Sequence, residues 1–163
     1  MKTIAFLTAC IVIATNVITV KAPVPFEATT LEERAAMAQM TTEEFIFISS
    51  VVEAESDRNT ESTEGRRYIA LCILCRVMDS RFPGTITEVI TQRGQFSTVR
   101  NGHSVTNRTD LSDQAVIEAV EWIQSGEEYP WVLFFNCIGY SYGEPLGRYG
   151  GNYFVTLEPM REE

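Results

Sequence analysis

Two glutamates, Glu53 and Glu55, close a stretch in which Phe45, Ile48 and Val52 recur at helical spacings of three and four residues. Continuing that stripe by three positions lands on Glu55, so its carboxyl sits on the inward face at the end of a helix, while Glu53 points well away. A carboxyl held against apolar groups keeps a proton near neutral pH and serves first as acid and then as base, which is the chemistry of glycosidic bond cleavage. On spacing alone, Glu55 reads as a solvated glutamate that ends the helix. The neighbouring acids Glu53, Asp57, Glu61 and Glu64 read as solvated loop or helix-cap residues.

A second chemistry needs a thiol and a base. Cys137 or Cys72 paired with His103, the only histidine, would make a cysteine peptidase or amidase, although a lone histidine in the polar loop Asn101-Gly-His-Ser104 reads more simply as a surface residue. Cys72-x-x-Cys75 has redox or zinc spacing, but it lies inside the apolar run Ile69 to Val77, where cysteine packs as a small hydrophobe. With one histidine and no second ligand pair, no metal site and no cofactor are expected.

Several elements must position these groups. Thr41-Thr-Glu-Glu44 is a capping box that opens the helix leading to Glu55. Thr63 or Ser62 caps the next helix, from Glu64 to about Asp79, apolar nearly all round from Tyr68 to Met78 except at Arg76 and so expected to be the buried floor of the core. Thr85 to Glu88 opens a short helix to about Gln92, and Ser112 or Asp110 caps an amphipathic helix to Ser125 that Gly126 closes. Trp131 to Phe135 and Tyr153 to Val155 read as two short strands joined by a Gly- and Tyr-rich loop. The fold class is α+β, mainly helical, in one domain with a small β-hairpin.

With 163 residues and 45% apolar content, one core is the default. Residues 1–22 read as a signal peptide: Lys2 precedes an uncharged, largely apolar stretch from Thr3 to Val20. That stretch also suits an uncleaved anchor, in which case the membrane is met only through this segment. Residues 23–40 read as a linker, with a short helix possible from Leu31 to Met40, and residues 41–157 as the catalytic domain. The expected location is exported, extracellular or wall-associated. Removing Lys2 and Lys21, the only lysines, from the 13 basic residues leaves 11 arginines against 22 acids, a formal charge of −11. Such a surface repels nucleic acid and offers no basic patch for anionic wall polymers.

The ordered segments Val52-Glu-Ala-Glu-Ser56, Glu64-Gly65, Ile73-Leu-Cys-Arg-Val77, Ser80-Arg-Phe-Pro-Gly84, Val89-Ile90 and Gly94-Gln-Phe-Ser97 resemble the spore-cortex-lytic cell wall hydrolase family, of SleB and CwlJ type. Phe134-Phe135-Asn136 resembles that family's aromatic-aromatic-Asn strand, and Gly150 to Phe154 its Gly-x-His-x-Phe ending. The resemblance implies a lysozyme-like helical fold and cleavage of peptidoglycan glycan strands, by a muramidase or lytic transglycosylase route, with Glu55 as the single catalytic glutamate. Candidate substrate contacts are then Gln95, Phe96, Asn136, Tyr140 and Asn152, with Phe96 and either Tyr68 or Tyr140 as a sugar-stacking wall; alternatively Phe96 is core and Gln95 caps a turn. The departures are Cys75 for Asn, Asn152 for His, Cys137 for Pro, and about two extra residues between Asp57 and Glu64. A non-catalytic peptidoglycan-binding relative, or the Cys137 and His103 peptidase, are the competing functions.

Overall fold

The computed structural model describes residues 25–56, 63–96, 98–99, 107–140 and 142–157. Helices α1 (Leu31–Met37), α2 (Thr42–Glu55), α3 (Thr63–Met78), α4 (Ile86–Thr91) and α5 (Asp110–Gln124) precede strands β1 (Phe134–Asn136), β2 (Glu144–Tyr149) and β3 (Asn152–Thr156). The chain is therefore mainly helical α+β, as its periodicity predicts. No described helix is long and apolar enough to cross a membrane. The signal-peptide reading of residues 1–22 falls outside the described residues.

Threonines start most of these helices. Thr41 caps α2 in a full capping box with Glu44, and Thr85 caps α4 by accepting from the Glu88 amide. At α5 the cap is Thr109, one residue before the expected Asp110, and Ser112 supplies the reciprocal bond from inside the first turn. Such caps satisfy otherwise orphaned amides and each stabilises its helix by about 1 kcal/mol.

Helix α3 is the centre of the molecule. Ile69, Ala70, Leu71, Cys72, Ile73 and Cys75 are fully buried, and the helix packs against α2, α4 and α5. Met78, expected in the same buried run, is 46% exposed because the helix ends there and leaves the core. The two α3 thiols are packing groups: burial pushes Cys72 up to about 11 and Cys75 up to about 12, so both stay protonated.

The segment read as a linker packs on the domain. Thr30 caps α1, and Arg34, 6% exposed, reaches Asp110 and Asp113 at the start of α5 and lies over the Phe26 ring. Composition hides this because the partners lie far apart in sequence.

The sheet has three strands in the order β1-β3-β2, all antiparallel. The loop expected between two strands itself contains β2, whose Pro145 and Gly147 mask it and give a bulge against β3. Gly150 and Gly151, both at positive φ, form the tight turn of the β2–β3 hairpin. This turn lies on the first turn of α3: a Cβ on Gly65 would stand 2.6 Å from the Gly150 Cα, so the Glu64-Gly65 step needs its glycine for close backbone approach. The hairpin is thereby held over the space between α3 and the end of α2.

Candidate active site

At the junction of α2, the turn after α4, β1 and β3 lies an open cleft of about 860 Å³. Glu55, the last residue of α2, lines it together with Gln92 to Phe96, Phe135, Asn136, Cys137 and Asn152. Helix period brings Phe45, Ile48 and Val52 into the core, and the same face delivers Glu55 to the core's edge, where it is half-buried.

The Glu55 carboxylate is held by a residue that the sequence reading missed. Thr98 donates to its Oε1 twice, from the backbone amide at 3.1 Å and from the hydroxyl at 2.8 Å. The only available signal was its position just after Gly94-Gln-Phe-Ser97, and a threonine in a polar loop is too common to single out. At the other end of the residue, the Glu55 backbone carbonyl accepts from Asn152 Nδ2 at 3.2 Å. Asn152, 6% exposed, was expected to touch substrate. In the fold its amide nitrogen satisfies an orphan carbonyl of the α2 C-terminus and pins the catalytic candidate's backbone to β3.

Glu53 has a different environment, as the helical spacing predicts, but it is not a solvated cap. Arg66, 3% exposed, donates to it from Nε at 2.8 Å and Nη2 at 3.1 Å, and the Thr109 hydroxyl adds a third bond. This side-on pair fastens α2 to α3 and to the start of α5. Asp57, Glu61, Ser97 and His103 lie outside the described residues.

The remaining expected contacts separate. Gln95 is exposed at the cleft, on a turn in which its amide donates to the Gln92 carbonyl and Gly94 takes φ 81°. Asn136 also lines the cleft, with its side-chain oxygen accepting from the amides of Ile138 at 2.6 Å and Gly139 at 3.3 Å. Phe96 does not present a stacking face: it is 4% exposed, with its ring 6.1 Å from Phe135 and the Arg76 guanidinium 5.5 Å above it. Tyr68, 8% exposed, stacks on Tyr149 at 4.0 Å, and its burial raises its hydroxyl. Tyr140 is 47% exposed and set edge-on to Tyr153, and neither it nor Tyr68 lines the cleft. The cleft lining therefore mixes the amides of Gln92, Gln95, Asn136 and Asn152 with the apolar side chains of Ile90, Phe96, Val99 and Phe135.

Cys137 is exposed and also lines the cleft. Among the described residues, no group of three His, Cys, Asp or Glu side chains stands close enough to hold a metal. Among the described residues, the charged side chains lining the cleft are Glu55 and Arg93.

Comparison with known proteins gives one family. Residues 60–137 match the model described as Cell Wall Hydrolase, a stretch that contains Gln95, Phe96, Asn136 and Cys137 and begins just after Glu55. No curated protein and no solved structure matches the chain. The motifs from Glu64-Gly65 to Phe134-Phe-Asn136 lie inside this match, and over residues 60–137 the chain is similar to the cell wall hydrolase family, of SleB and CwlJ type.

Proposed function

We propose that this cell wall hydrolase acts on peptidoglycan outside the cytoplasm and cuts its glycan strands, with Glu55 as a single acid and base. The observation that carries the reading is the seating of Glu55: a carboxyl at a helix end, gripped on one oxygen by Thr98, in a cleft whose lining includes the amides of Gln92, Gln95 and Asn136. Amides suit the N-acetyl and hydroxyl groups of an amino-sugar polymer, since each both donates and accepts.

In the proposed reaction Glu55 protonates the glycosidic oxygen between N-acetylmuramic acid and N-acetylglucosamine as the bond to the anomeric carbon breaks. The resulting carboxylate then takes a proton from the nucleophile that closes on the anomeric carbon. A route through the sugar's own 6-hydroxyl gives an anhydro end and needs no second acid, whereas attack by water ordinarily uses a second carboxylate across the sugar, roughly 5–10 Å away. Glu55 is the only carboxylate among the described residues that line the cleft, and Glu53 is committed to Arg66. That favours the transglycosylase route.

A second reading rests on Cys137, whose exposed thiol lines the same cleft and with His103 would attack wall peptides. One experiment separates the two. The full chain incubated with purified peptidoglycan is expected to release fragments with anhydro ends by mass spectrometry. Glu55→Gln abolishes release with the fold intact, whereas Cys137→Ala and chelators leave it unchanged. Full activity in Glu55→Gln sinks the proposal, and binding without release marks a non-catalytic relative.

A further inference from the structure

The described arginines of this acidic chain are nearly all occupied. Arg34, Arg66, Arg67, Arg81 and Arg108 each lie within 4 Å of a carboxylate. Arg76 is enclosed by the rings of Phe82, Phe96 and Phe134, and Arg148 lies over Tyr153. Arg93 alone, among the described residues, has neither an acidic nor an aromatic partner, and it stands on the exposed turn that forms one wall of the cleft. Among the described residues of this acidic chain it is the exception, and it lines the cleft that holds Glu55.

We infer that Arg93 is a subsite for a carboxylate of the peptidoglycan stem peptide, so that the enzyme selects glycan carrying free acidic stems. The inference rests on the proposed action on glycan strands and adds the chemistry that decides which strands are taken. A guanidinium offers a planar fork that matches a carboxylate with two parallel hydrogen bonds. The strongly negative surface would otherwise repel a polyanionic wall, so one local cation in the cleft fixes where an acidic stem can approach. The stem branches from the muramic acid unit and not from the bond to be cut, so a stem carboxylate at Arg93 does not compete with the glycosidic oxygen for Glu55.

The test compares native peptidoglycan with the same material after its stem carboxylates are converted to amides, using the full chain. Wild type is expected to show a KM on the amidated polymer higher by roughly five- to tenfold, with a smaller change in kcat. Arg93→Gln raises KM on the native polymer by a similar factor and no longer distinguishes the two, while Arg93→Lys recovers part of the preference. Co-sedimentation with each polymer reads the same preference without catalysis. Should wild type bind native over amidated polymer yet release nothing, the cleavage reading fails and the subsite stands. If Arg93→Gln keeps the wild-type preference in both measurements, the subsite is overturned.

Discussion

Glu53→Gln and Glu55→Gln make the same chemical change two residues apart and should have opposite consequences. Glu53 receives both nitrogens of a nearly inaccessible guanidinium, with side-chain exposures of 3% for Arg66 and 12% for Glu53. Removing one partner of a buried pair costs about 3–5 kcal/mol, because the other charge stays buried and loses that counter-ion. The amide of the variant keeps one acceptor oxygen, and Glu53 retains slight solvent access, which brings the expected loss to about 3 kcal/mol. For a chain of this size that lowers the melting temperature by about 10 °C. Thermal unfolding followed by circular dichroism at neutral pH measures it, with Glu55→Gln expected within a few degrees of wild type. Adding Arg66→Met to Glu53→Gln should restore part of the loss, since the buried charge is gone. A Glu53→Gln variant melting with wild type would refute the claim that this pair fastens α2 to α3. Equal destabilisation by Glu55→Gln would make Glu55 structural.

Asp79 at the end of α3 accepts from Arg81 Nε at 2.8 Å and Nη2 at 2.6 Å, and from Trp131 at 3.4 Å, and these bonds hold its carboxyl down at about 2. A folded-state value below the ordinary 3.8 means that its contribution is fully present above about pH 4 and is lost as pH falls toward 2. Asp79→Asn should therefore cost about 1–2 kcal/mol at neutral pH and flatten the stability curve between those limits, as read by urea unfolding across pH. Thiol chemistry provides a separate check: iodoacetamide at pH 8 should label Cys137 in the folded chain and leave Cys72 and Cys75 unmodified, as peptide mass mapping would show. Labelling of either α3 cysteine as fast as Cys137 would contradict their burial.

What the sequence reveals about this fold follows the range of the forces involved. The capping residues Thr41 and Thr85 and the apolar surface of α3 are legible because caps and burial periodicity act over three or four residues. The same short-range logic delivers Glu55 to the inward end of α2. Long-range contacts are not legible. Nothing near Arg34 announces Asp113, which lies at the far side of the chain, so a packed N-terminal helix reads as linker. Strand β2 is hidden because its Pro145 and Gly147 suppress the alternation by which strands are recognised, and it exists only because β3 pairs with it.

The site divides along the same line. Glu55, Gln95 and Asn136 reach one cleft as expected, because their motifs close helices, turns and strands that fold locally. The roles of Phe96, Asn152 and Thr98 are tertiary: an aromatic beside a loop motif becomes core when Phe135 and Arg76 cover it, and an asparagine of β3 becomes a cap for α2. This bears on the replacement of the family's usual histidine by Asn152. A side chain whose visible task is to donate one hydrogen bond to the Glu55 carbonyl needs a short, neutral N–H donor, which an amide supplies as well as an imidazole. The substitution therefore leaves the backbone seating of Glu55 on β3 intact.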